Sequence, residues 1–294
     1  MTAQPMAHSN FQTLISASNL LQHSNDPDWI VIDCRHDLAD PAAGCAAYGS
    51  GHIPGAMFAH LDDDLAGAKL DAGGHFRGRH PLPEIAELIE TLRRLGVNQN
   101  SQVIAYDAHG GMFAARLWWM LRWVGHARVA VLDGGLSAWS AAGGTLSTDL
   151  SAARRGDIGA TAPLATTVSA DQLVANLTAG GLIVVDARAP DRYRGENETL
   201  DPVGGHIPGA KNRCFRDNLQ ADGRFKPAAQ LRAEFNSVIA TPHDSVMQCG
   251  SGVTACHNLL ALEVAGMHGA ALYPGSWSEW CSDESRPVTN EAAG

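Results

Sequence analysis

The sequence predicts an α/β protein in which one domain occurs twice, each copy a parallel sheet flanked by helices on both faces. An internal repeat is the first reason. Val31-Ile32-Asp33-Cys34-Arg35 returns as Val184-Val185-Asp186-Ala187-Arg188, and Gly51-His52-Ile53-Pro54-Gly55-Ala56 returns as Gly205-His206-Ile207-Pro208-Gly209-Ala210. Val103-Ile104-Ala105-Tyr106-Asp107, with Gly110-Gly111 after it, matches Val246-Met247-Gln248-Cys249 with Gly250 and Gly252. Leu132-Asp133-Gly134-Gly135 leads to Trp139 as Tyr273-Pro274-Gly275-Ser276 leads to Trp280. These matches keep their order and lie between 141 and 154 positions apart, as two copies of one unit require. The second reason is the alternation of short apolar runs with helical patterns, which produces parallel sheets covered on both sides.

In chain order, the first copy spans 10–143. Ile30–Asp33, Val103–Tyr106 and Ala130–Leu132 read as buried strands, and Pro83–Leu95 and Phe113–Val124 as helices. Residues 144–165, rich in Ala, Ser, Thr and Gly, read as a linker. The second copy, 166–290, has strands at Ile183–Asp186, Val246–Gln248 and Ala271–Tyr273 and main helices at Pro227–Ile239 and Thr254–Ala265.

Composition narrows the function. At 294 residues, with 45% hydrophobic and 18% charged, the chain fits two globular domains, each with its own core. A net charge of −10 without a basic run argues against a nucleic-acid surface. No stretch approaches a membrane span, and the N-terminus lacks the basic and apolar regions of a secretory signal. Six cysteines (34, 45, 214, 249, 256 and 281) make a poor disulfide framework, so a reducing cytoplasm is expected.

Chemistry is expected at Cys249, where a strand ends in the loop Gly250-Ser251-Gly252-Val253-Thr254 and a helix begins. Two glycines let such a loop turn its N–H groups inward, and the helix N-terminus adds positive potential. A cysteine in that bowl is expected to be a thiolate nucleophile. The repeat supplies a filter here: features in both copies serve the fold, and features in one copy are candidates for function. His52 and His206, and the Asp33–Arg35 and Asp186–Arg188 pairs, occur twice and read as structural. Trp139, Trp277 and Trp280 read as packing. Cys249 is matched by Asp107, which cannot be a thiol nucleophile, so only the second copy is expected to be active. Arg192 is matched by Ala39 and Arg213 by Ala59. An unmatched arginine beyond a strand's C-terminal end lies where such sheets bind ligands, and a guanidinium holds a carboxylate bidentately. The rival reading of Arg192 is a salt bridge to Glu196 or Glu198.

The tandem pattern, the doubled His-Ile-Pro-Gly-Ala, Cys249 to Cys256 and the closing Gly275 to Trp280 resemble the two-domain rhodanese family of sulfurtransferases over nearly the whole chain. The loop from Cys249 to Thr254 is similar to that of 3-mercaptopyruvate sulfurtransferases. Thiosulfate-preferring members carry Arg and Lys where this chain has Gly250 and Ser251. The resemblance implies a serine–histidine–aspartate relay of Ser251, His80 and Asp62, partly supplied by the inactive copy. It also implies a substrate-carboxylate role for Arg192, with Gly250, Gly252, Val253 and Thr254 lining the site. A second substrate arginine of the animal enzymes falls near Asp201 here, and Arg213 is the candidate replacement.

The expected chemistry is transfer of a sulfane sulfur from mercaptopyruvate through a Cys249 persulfide to a thiol such as thioredoxin or a small thiol, or to cyanide, with no metal or organic cofactor. Thiosulfate:cyanide transfer is the alternative within the class. A cysteine phosphatase would need arginine where Ala255 stands. A metal-binding or sulfur-carrier module on Cys249, Cys256 and His257 would need a spacing these residues lack.

Overall fold

The computed structural model describes residues 10–151 and 154–290. The first unit contains β1 (Leu14–Ile15), α1 (Ala17–Gln22), β2 (Trp29–Asp33), α2 (Ala43–Ser50), β3 (Met57–Phe58), α3 (Leu61–Asp64) and α4 (Ile85–Arg94). It continues with β4 (Gln102–Tyr106), α5 (Ala114–Trp123), β5 (Val129–Leu132) and α6 (Gly135–Ala141). The second unit contains α7 (Ala170–Ala179), β6 (Ile183–Asp186), α8 (Pro190–Tyr193), β7 (Lys211–Asn212), a 3-10 turn (Phe215–Asn218) and α9 (Ala228–Asn236). It closes with β8 (Ser245–Gln248), α10 (Thr254–Val264), β9 (Ala271–Leu272) and α11 (Ser276–Trp280).

Both sheets are parallel throughout, with orders β1-β5-β4-β2-β3 and β7-β6-β8-β9. A single parallel bridge from Thr167 to Leu272 stands where β1 pairs with β5 in the first sheet. The strands expected from apolar runs are the central ones together with β9, which stands at the end of its sheet and stops at Leu272. The edge strands β1, β3 and β7, two residues each, were not expected. Each Asp-x-Arg pair braces a strand end: Arg35 Nε donates to Asp33 Oδ2 at 2.9 Å, and Arg188 Nε to Asp186 Oδ2 at 3.0 Å.

Helices α5 and α10 place the two units. Ala114 to Leu121 of α5 and Ala255 to Leu262 of α10 are buried without interruption. A helix buried on all sides must be covered on all sides, and these two pack against each other. One apolar core therefore runs through both units, while smaller clusters cover the far face of each sheet. The segment read as a linker is also bound down: Ser147 pairs with His52, Thr161 N–H donates to Val124 O, and Ile158 is fully buried. Its composition hides this, because backbone hydrogen bonds rather than apolar side chains do most of the attaching.

Candidate active site

Cys249 follows β8 and is 2% exposed. Its N–H donates to Ser276 Oγ (3.1 Å), its carbonyl accepts from Trp277 N–H (2.9 Å), and Gly250 O accepts from Ser278 N–H (2.9 Å). Gly252 sits at φ +77°, and a Cβ there would collide with the Pro274 carbonyl, so position 252 requires glycine. Ser276 is the one non-glycine residue at positive φ (54°) among those described. Such a conformation costs about 1–3 kcal/mol, and here it points the hydroxyl at the cysteine's own N–H.

The first unit shows what this bowl attracts. Asp107 turns its carboxylate into its own loop and accepts from the N–H groups of His109 (2.8 Å), Gly111 (2.9 Å), Phe113 (2.8 Å) and Ala114 (3.0 Å). The bowl is an anion site filled by its own side chain. Around Cys249, the N–H groups from Gly250 to Thr254 make no hydrogen bond among the described residues. They remain available to an anion on the sulfur.

The relay residues come together across the units. Ser251 Oγ lies 2.8 Å from His80 Nδ1, and His80 Nε2 lies 3.3 Å from Asp62 Oδ1. Burial pushes the His80 imidazole down to about 4, against the pull of Asp62 and with the help of Arg116 and Arg79. A neutral ring that donates Nε2–H to Asp62 accepts the Ser251 hydroxyl proton at Nδ1.

Arg116 is a site residue that the sequence reading missed. It is fully buried on α5, and its guanidinium donates to Gly252 O (3.1 Å), His80 O (3.1 Å) and Leu65 O (3.2 Å). One side chain thus ties the cysteine loop to the segment carrying the relay histidine. Burial pushes its pKa down, and the nearby Cys256 and Cys249 thiols act in the opposite sense.

A cavity of about 210 Å³ opens over Cys249, lined by Gly250, Ser251, Val253 and Thr254 and by Arg79, Arg188, Arg192 and Arg216. Gly252 lies beneath the loop, against Pro274. Arg192 faces the cavity and also makes the expected salt bridge, with Nε and Nη2 on Glu198 at 3.0 and 2.8 Å. Arg213 does not line this cavity. Its guanidinium bonds Glu234 (2.7 Å) and Asn218 (3.2 Å) and stacks on Phe235, because acidic and aromatic partners on α9 draw it away. Cys256 and His257 belong to the core: Cys256 Sγ donates to Gly252 O, and His257 Nε2 lies 3.0 Å from Gly110 O. Burial pushes the Cys256 thiol up to about 12, which keeps it protonated and inert beside the site.

The rhodanese-like domain model matches residues 16–142 and again 169–283. This chain belongs to the rhodanese-like family. Among its relatives is a probable 3-mercaptopyruvate sulfurtransferase of Pseudomonas aeruginosa, 49% identical over 94% of this chain and 97% of that protein. A putative thiosulfate sulfurtransferase of Mycobacterium tuberculosis is 42% identical over 94% of this chain and 96% of its own. The 3-mercaptopyruvate sulfurtransferase of Leishmania major superposes with a TM-score of 0.81 at 30% identity, covering 94% of this chain and 75% of that one. The rhodanese-like family thus includes relatives named for each of the two donors that the loop comparison distinguishes.

Proposed function

We propose that this protein is a sulfurtransferase that takes a sulfane sulfur from 3-mercaptopyruvate onto Cys249 and passes it to a thiol acceptor or cyanide. The observation that carries this reading is the open anion bowl around Cys249 with Ser251, His80 and Asp62 in line beside it. The Cys249 thiolate attacks the donor's thiol sulfur. A sulfur–sulfur bond forms, the carbon–sulfur bond breaks, and its electron pair leaves with the carbon as the enolate of pyruvate. The proton of the donor thiol passes through Ser251 and His80 to the enolate carbon, leaving a persulfide anion held by the loop N–H groups and the Arg116 charge. An acceptor thiolate, from a small thiol or a thioredoxin, or cyanide, then removes the outer sulfur and restores the Cys249 thiolate.

A specific observation favours thiosulfate as a second donor: four arginines surround the cavity although the loop itself carries none. A reducing, cytoplasmic setting accords with six free cysteines. Among the described residues no helix is long and apolar enough to cross a membrane.

The test is to measure pyruvate release from mercaptopyruvate and sulfite release from thiosulfate, with intact mass taken after each donor. One added sulfur is expected, absent in Cys249→Ser. Persulfide remaining on that variant would overturn the assignment.

A further inference from the structure

The resemblance that leads to Arg192 calls for a second arginine near position 201, and this chain has an aspartate there. Asp201 is not idle. Its side chain is 3% exposed and pairs with Arg79 of the first unit. Arg79 Nη1 is taken by Asp201, while Nε and Nη2 have no hydrogen-bond partner among the described residues. Arg192 has a similar division of labour: Glu198 takes Nε and Nη2, Asp201 Oδ2 adds a longer contact to Nη2 (3.5 Å), and Nη1 is left without a partner among the described residues.

Both guanidiniums reach the same point. A Cβ built on Gly250 would lie 2.8 Å from Arg79 Nη2 and 3.5 and 3.7 Å from Arg192 Nη2 and Nη1. Gly250 adjoins Cys249, and Cys249, Gly250, Arg79 and Arg192 all border one cavity, while Asp201 stands behind the two arginines. Two arginines, each tethered at one end by a buried carboxylate and free at the other, form a fork that suits a small anion.

We propose that Arg79, contributed by the first unit and held by Asp201, is the second donor-binding guanidinium, and that Gly250 is glycine so that Arg79 can occupy the space over the loop. This rests on the sulfurtransferase reading and deepens it. It places charge over the loop that thiosulfate-type members carry within it. Arg213, the candidate suggested by the sequence, lies elsewhere.

The test compares 3-mercaptopyruvate with its neutral amide. A carboxylate contact made equally in ground and transition states appears in KM. Arg79→Ala is expected to raise KM for mercaptopyruvate about tenfold or more, with a smaller change in kcat and little change for the amide. Arg79→Lys keeps the ion pair to Asp201 and hence the local fold. Its KM should stay several-fold high, because one ammonium cannot serve Asp201 and the donor together. Gly250→Ala should weaken mercaptopyruvate binding in the unmodified protein and cost little more in Arg79→Ala, a non-additivity that identifies shared space. Equal losses for both donors, an unchanged KM, or additive effects of the two substitutions would each overturn the proposal. A protein that forms no persulfide from any donor would instead overturn the sulfurtransferase reading.

Discussion

Ser251 and His80, 171 positions apart in the chain, share a 2.8 Å contact between Oγ and Nδ1 that spans the two units. The contact exists because α5 and α10 pack into one core and Arg116 pins the His80 carbonyl and the Gly252 carbonyl to the same guanidinium. Residues of both units thereby build the candidate site.

Ser251→Ala removes the hydroxyl that passes the proton and leaves the bowl of N–H groups. A positioned proton-transfer group contributes about 10²–10⁴-fold, so kcat with mercaptopyruvate should fall by at least about a hundredfold. His80→Ala should reproduce that fall, and the double variant should be no worse than either single one. Additive losses in single-turnover kinetics would show that the two side chains do not act in series.

The Arg192 prediction is a loss of binding. Removing a charge-assisted contact costs about 1.5–3 kcal/mol, roughly ten- to a hundredfold in kcat/KM. Arg192→Ala also leaves Glu198, 3% exposed, dependent on Arg188 and on the N–H groups of Leu200 and Asp201. Steady-state kinetics with mercaptopyruvate should show the loss, and Arg192→Gln, which can still donate to Glu198, should fold normally yet remain defective. Unchanged turnover in both variants would remove Arg192 from the site.

Much of this was legible in the sequence because the repeat displays the fold twice. Cys249 against Asp107 singled out the second half as the candidate for chemistry, and the central strands followed from apolar runs. Arg116 was missed although it too is unmatched: Asn258 of α10 stands at its place, buried and donating to Arg213 O. Its signal was an arginine within the otherwise apolar run Ala114 to Leu121, in the half that the filter had set aside. Arg79 was missed because its role depends on Asp201, 122 positions away, and no local pattern encodes that pairing. Ser276 entered the sequence reading only as part of the repeat. Only the fold brings its hydroxyl to the Cys249 N–H.

Stability should fall on acidification. Burial pushes His80 to about 4 and His257 to about 4, below the ordinary histidine value of 6.5. Between those values both rings are neutral in the folded protein and protonated in the unfolded chain. The unfolded state then binds more protons, so stability rises with pH through this window and is lost as pH drops from about 6.5 toward 4. Urea midpoints measured at several pH values should show this slope, and His257→Asn should flatten it. A midpoint independent of pH across the window would contradict buried, neutral histidines.

Donor choice follows from where the protons and charges lie. Mercaptopyruvate leaves as an enolate that needs a proton, and Ser251 with His80 supplies the path. Thiosulfate leaves as sulfite, which needs no proton but does need cations. Arg79 and Arg192 offer cations, so both donors should bind, and discrimination should appear in kcat. Mercaptopyruvate is expected to be better by at least about tenfold, equivalent to roughly 1.4 kcal/mol of transition-state preference. His80→Ala should collapse the ratio by slowing mercaptopyruvate alone. Replacing Gly250 by Arg and Ser251 by Lys removes the relay hydroxyl and should narrow the ratio. It should do so more completely in Arg79→Ala, because Arg79 Nη2 lies 2.8 Å from where the new Cβ must go. If the unmodified protein prefers thiosulfate, the hydroxyl relay does not set the donor, and the cations over the loop do.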